Sequence, residues 1–144
     1  MNAALSPTLP SRWRDYTAFA ARSLFVAAFA LALFFKLSGI GQTAGYIGAA
    51  GFPMPLLLAW MAALFEFLLV LCLATGAWFR QAALAAAVYV VFLAFAFHGP
   101  SKWSGNQMEF GFFVDHFTFL AGLLYAVAHG PGRLLVVRRW RSGS

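Results

Sequence analysis

Between Leu56 and Trp78 the chain runs 23 residues with a single charged side chain, Glu66. A bilayer's hydrocarbon core is about 30 Å thick and needs about 20 helical residues to cross it. Glu66, ten residues past Leu56, therefore sits roughly 15 Å deep if this run is a spanning helix. A carboxylate at that depth costs several kcal/mol unless it is protonated, paired or wetted, so it marks a functional centre by default. An ordinary water-soluble fold does not use a run of this length and apolarity.

The rest of the chain repeats the pattern. Apolar segments at about 16–37, 55–77, 81–97 and 110–128 predict four membrane-spanning helices, an all-α four-helix membrane domain over 16–130. Charged residues make up 10% of the 144 residues and mean hydropathy is +0.79, far from the balance of a soluble domain. Residues 1–15 and 131–144 read as basic tails. The first span is longer than the apolar core of a signal peptide and is read as a retained helix. Ser38 to Pro55 is an uncharged, glycine-rich connector, in which Thr43 to Ala50 is expected to form a short interfacial or re-entrant helix.

A net charge of +6 raises the question of nucleic acid. The arginines flank apolar spans, however, and positive-inside topology accounts for them. Arg12, Arg14, Arg80, Arg133, Arg138, Arg139 and Arg141 fall on one side and Lys36 and Lys102 on the other. Both termini are therefore expected in the cytoplasm of a bacterial-type inner membrane. The bilayer is the partner this implies, and nucleic acid is not. Cys72 is the only cysteine, so neither an intramolecular disulfide nor a thiolate metal cage can form.

Placed by depth, five ionisable side chains gather in the outer half: Lys36, Glu66, His98, Asp115 and His116. Helical side chains lean toward their own N-terminus. Lys36 therefore leans into the membrane and Glu66 leans outward, which closes an axial gap of roughly 9 Å. A Lys36–Glu66 pair is the simplest neutralisation of the carboxylate; the alternative is a protonated Glu66. On the last span Asp115, Thr118, Gly122, Tyr125 and His129 form a polar stripe expected to face inward. Phe34, Phe35, Phe65, Phe95 and Phe97 are candidates to line an apolar slot beside it.

Each feature also has a plainer reading. Glu66 with Lys36 can be a pin that fixes helix register, and Lys36 alone a snorkelling end residue. His98 can cap its helix, Asp115–His116 can answer a helix dipole, and His129 can sit at the interface. Two histidines with one aspartate and no ligand motif do not amount to a haem or metal site, and no metal is expected.

In order along the chain stand Phe35-Lys36-Leu37, Gly41-Gln42-Thr43-Ala44-Gly45-Tyr46-Ile47, Gly51-Phe52-Pro53-Met54-Pro55, Ala63-Leu64-Phe65-Glu66, Gly76 with Arg80, His98, and Gly130-Pro131-Gly132-Arg133. This set resembles the DoxX family of four-helix membrane proteins over roughly residues 20 to 134. The resemblance maps the family's recurrent Lys, Glu and His onto Lys36, Glu66 and His98. It implies a redox-associated role, through a bound quinone or a docked soluble oxidoreductase. Leu33, Gly39 and Asp115-His116 depart from the usual pattern, the last reversing a charge, so a shared substrate does not follow. Three readings result: a redox-associated subunit, a transporter of a small solute or protons that works as a homo-oligomer, and a non-catalytic scaffold.

Overall fold

The computed structural model describes residues 11–137 and is all-helical, with no strand among them. Helix α1 spans Ser11–Ser38, α2 Ile40–Ala49, α3 Pro55–Thr75, α4 Phe79–His98 and α5 Gln107–His129. A single 3₁₀ turn, Pro100–Lys102, joins α4 to α5. Four of the helices are long and apolar enough to cross a membrane. Leu24, Leu31, Trp60, Leu64, Val88 and Phe92 on these helices are exposed, an apolar girdle that water would not tolerate and acyl chains would.

Local chemistry sets the boundaries. No Gly or Pro interrupts Ser11–Ser38, so α1 runs unbroken until Gly39. Pro55 opens α3 at a position whose missing N–H is an orphan anyway, and Gly76, at φ 74°, closes it with its N–H on Cys72 O. The Asn106 side chain accepts from the Glu109 N–H and starts α5. That cap draws Gln107, Met108 and Glu109 into the helix, so α5 begins three residues before the apolar run predicts. The connector helix α2 likewise starts three residues early.

Packing follows small side chains. Helix α1 packs on α3, α3 on α4, α4 on α5, and α2 lies over α3. Ala59 and Ala63 of α3 and Ala82, Ala83, Ala86, Ala87 and Ala94 of α4 are buried. Small residues let helix backbones approach where lipid removes any hydrophobic drive between them. One buried cluster, around Leu73, Ala83 and Leu123, fills one end of the molecule. A second, Ala44, Ile47, Ala59 and Phe97, fills the other under α2. On α3 the face Ala59–Ala63–Glu66–Leu69–Leu73 is buried throughout, so Glu66 lies between the two clusters.

Both expected tails need correction within the described residues. Ser11 to Asp15 belong to α1, because nothing in Arg12–Asp15 breaks a helix; residues 1–10 lie outside the described part. Residues 131–137 fold back onto the helix ends instead of trailing. Val137 N–H donates to Thr75 O at 2.9 Å. Arg22, buried at 3% exposure, donates to the carbonyls of Pro131, Leu134 and Leu135 at 3.3, 2.7 and 3.1 Å. Arg138, Arg139 and Arg141 lie outside the described residues.

Gly76 is the hinge of this arrangement, because a Cβ there would sit 2.7 Å from the Val136 side chain. Gly76→Ala should destabilise by about 1–2 kcal/mol through strain at positive φ and that clash. It should also speed amide exchange at Val137, as read by hydrogen–deuterium exchange in detergent.

Candidate functional site

Lys36 stands half a turn from the end of α1, and Glu66 lies eleven residues into α3, roughly 16 Å along it. Because both side chains lean toward their helix N-termini, they meet between the two helices. Lys36 Nζ lies 3.4 Å from Glu66 Oε1. From α4, Tyr89 donates its hydroxyl to the same oxygen at 2.8 Å. The Tyr89 ring is held edge-on by Phe65, centroid to centroid 5.0 Å. Three helices thus converge on one carboxylate oxygen. The other, Oε2, is buried and has no hydrogen-bond partner.

This asymmetry matters chemically. Glu66 is 2% exposed, whereas the Lys36 side chain is 16% exposed and leads toward the surface. A buried acceptor left open costs about 1–3 kcal/mol, more if charged. A proton on Oε2 would lower the charge of the centre and leave Oε1 to its two donors. The residues therefore form a site that can hold a proton: the Lys36 ammonium can give one to the Glu66 carboxylate through Oε1, and the neutral amine left behind can take another from the surface side.

A second polar group lies at the α2 end. His98 Nδ1 is 2.7 Å from Glu109 Oε2, and the carboxylate, an acceptor, takes the Nδ1–H. Trp103 Nε1 donates to His98 O at 2.8 Å and pins the end of α4. The His116 ring stands 5.2 Å from that of His98 and hydrogen-bonds Phe112 O through Nδ1 at 2.7 Å. Tyr46 of α2 has its hydroxyl pKa pushed up by burial and then by the Glu109 carboxylate. Nine residues, roughly 14 Å along α4, separate His98 from Tyr89.

The five candidate ionisable residues therefore divide. Lys36 and Glu66 join, His98 and His116 neighbour one another, and Asp115 is exposed apart from both groups. The polar stripe on the last span does not face the packed interior as expected; its Gly122, Tyr125 and His129 line an open cleft between α1 and α5 instead. Asp115, Thr118, Tyr125 and His129 are exposed, because α5 turns Leu123 toward α4. Nor do the five phenylalanines converge. Phe34, Phe35 and Phe95 are exposed, Phe97 stacks on Tyr46, and only Phe65 reaches the centre. Residues one or two apart on a helix point about 100° or 200° apart, so 34 with 35 and 95 with 97 cannot share one wall.

Tyr89 and Glu109 are the partners that residue types alone do not reveal. Counting does. The Gly76–Trp78 turn lies close to midway between Glu66 and Tyr89, and Trp103 close to midway between His98 and Glu109. In two antiparallel helices, residues equidistant from the turn sit at equal depth.

The family model for DoxX matches residues 17–99, a stretch that includes Lys36, Glu66, Tyr89 and His98 but not Glu109, Asp115 or His116. No curated protein and no solved structure matches the chain. Tyr89→Phe removes one of the two donors to Glu66 and should lower stability by about 1.5–3 kcal/mol, the range for a hydrogen bond to a charged group. Thermal unfolding of wild type and variant in one detergent checks this.

Proposed function

This chain belongs to the DoxX family of membrane proteins, and we propose that it is a redox-associated inner-membrane subunit whose own contribution is a proton-holding centre. The observation that carries this reading is the buried, unpartnered Glu66 Oε2 beside Lys36 and Tyr89. Carboxylates inside membrane spans are rare, and proton relays are among the functions they mark.

A quinone held by this chain alone does not fit the centre. Glu66 is buried, and of the phenylalanines expected to frame a slot Phe34, Phe35 and Phe95 are exposed and Phe97 packs on Tyr46, leaving only Phe65 at the centre. The redox cofactor accordingly belongs to a docked oxidoreductase. Lys36 hands protons between the surface and Glu66, and Tyr89 keeps the carboxylate oriented toward Lys36. The His98–Glu109 pair ties the α4–α5 loop at the end to which Lys36 leads.

Topology fits the same picture. Arg14, Arg80 and Arg133 gather at one end, and Lys36 and Lys102 lie at the other, supporting cytoplasmic termini with the proton entrance outside. In a Cys72→Ala background, Lys102→Cys should be labelled by a membrane-impermeant maleimide added to intact cells. Labelling only after lysis would reverse the orientation.

A second reading has its own support. The triad ties α1, α3 and α4 at one point, which is what a register pin does, and it does not line the 950 Å³ cleft at the far end. The two readings part on two variants. Glu66→Gln should lower turnover of the assembled oxidoreductase about 100-fold, at the low end of what general acid–base groups contribute. It should also remove a pH-dependent carboxylic C=O band from infrared difference spectra. Lys36→Met, Glu66→Leu and Tyr89→Phe together replace the triad by apolar groups and should fold with stability unchanged or raised by about 1–4 kcal/mol. If that folded triple variant keeps full turnover and wild type shows no such band, the centre is only a pin.

A further inference from the structure

At the arginine-rich end, α1 and α5 part. They touch at mid-height, where Phe119 meets Phe25 and Phe29 edge-on at 5.0 and 5.6 Å. Beyond that contact toward the N-terminus of α1 lies an open cleft of about 950 Å³. Its walls combine small apolar residues, Ala18, Ala21 and Ala126, and Gly122, where a Cβ would come 3.0 Å from the Phe25 ring, with the polar Thr17 and the stacked Tyr125–His129 pair. Its mouth carries Arg14, Arg80 and Arg133, and Arg22 lies behind them.

The charge at that mouth is unanswered. Among the described residues the two ion pairs are Lys36–Glu66 and His98–Glu109, both far from here. Asp15 is the one carboxylate in the lining, set against four guanidinium groups. Arg22 is occupied by backbone carbonyls, which take its hydrogen bonds but leave its charge. Arg14, Arg80 and Arg133 are exposed, and the Arg80 guanidinium lies beside Gly130. Guanidinium forks match phosphate oxygens in shape as well as charge.

We propose that this cleft binds one anionic phospholipid, its phosphate among Arg14, Arg80 and Arg133 and an acyl chain along the α1–α5 wall. A free phosphate ion would leave most of 950 Å³ empty and would gain nothing from an alanine-lined groove on two membrane-spanning helices. An uncharged lipid offers no phosphate, and a zwitterionic one would bring a further cation in among the arginines. The lipid's tail and headgroup together match both halves of the cleft, and this site is independent of the Glu66 centre.

The test uses the full chain in mixed detergent micelles, with phosphatidylglycerol and phosphatidylcholine of identical acyl chains offered in competition and adducts counted by native mass spectrometry. Wild type should retain one phosphatidylglycerol per chain in preference to phosphatidylcholine. Arg80→Gln with Arg133→Gln should weaken retention about 30-fold, from about fivefold per arginine at an anionic lipid surface. Ala21→Trp, which keeps every charge but fills the groove, should displace the lipid as well. Arg12→Gln, outside the lining, should change nothing. Equal retention of the two lipids, an equal loss in Arg12→Gln, or undiminished retention in Ala21→Trp would overturn the proposal. So would displacement of phosphatidylglycerol by glycerol phosphate at equal concentration, which would make the site one for a free anion. If the double arginine variant does not fold, the Ala21→Trp and glycerol phosphate results decide.

Discussion

A carboxylate placed midway along an apolar helix has to be answered by other helices, and this obligation organises the molecule. Glu66 cannot reach water, so Lys36 and Tyr89 must come to it, and they fix α1 and α4 against α3 in doing so. Removing one partner of such a pair leaves an uncompensated buried charge, at about 3–5 kcal/mol. The alanine faces of α3 and α4 allow the close approach that the Tyr89 hydrogen bond requires. Helix position, burial and chemistry are thus one constraint seen three ways.

The two ends of the molecule solve different problems. At the α2 end, apolar packing of Ala44, Ile47, Ala59 and Phe97 closes the helices under a lid, and His98–Glu109 ties the loop. At the arginine end, the helices splay and the chain uses its own returning backbone as filler, gripped by Arg22. One end is closed by apolar packing, with the partly exposed Lys36 side chain leading toward it. The other stays open and positively charged, in the manner of a surface that meets anionic headgroups.

Much of this could be read from residues alone. Four spans follow from run length, and the Lys36–Glu66 contact follows from the opposed lean of side chains on antiparallel helices. Tyr89 was within reach of the same reasoning, through its distance from the Gly76–Trp78 turn. The phenylalanines show where residue type misleads: aromatic content says nothing about azimuth, and neighbours on a helix face different ways. The polar stripe on α5 failed for a related reason. Periodicity identifies a face but not which face packs, and the fit of Leu123 against α4 outweighed the preference of Asp115 and Thr118 for an interior. The docking of residues 131–137 leaves no trace in side-chain pattern, because Arg22 binds carbonyl oxygens that every residue carries.

That last grip has a temporal side. The guanidinium of Arg22 is synthesised well before the oxygens that satisfy it, which come from residues 109 to 113 positions later. Until residues 131–135 are made, α1 carries a cation whose final ligands do not yet exist. A chain cut short before Leu134 would leave that guanidinium without the carbonyls that hold it.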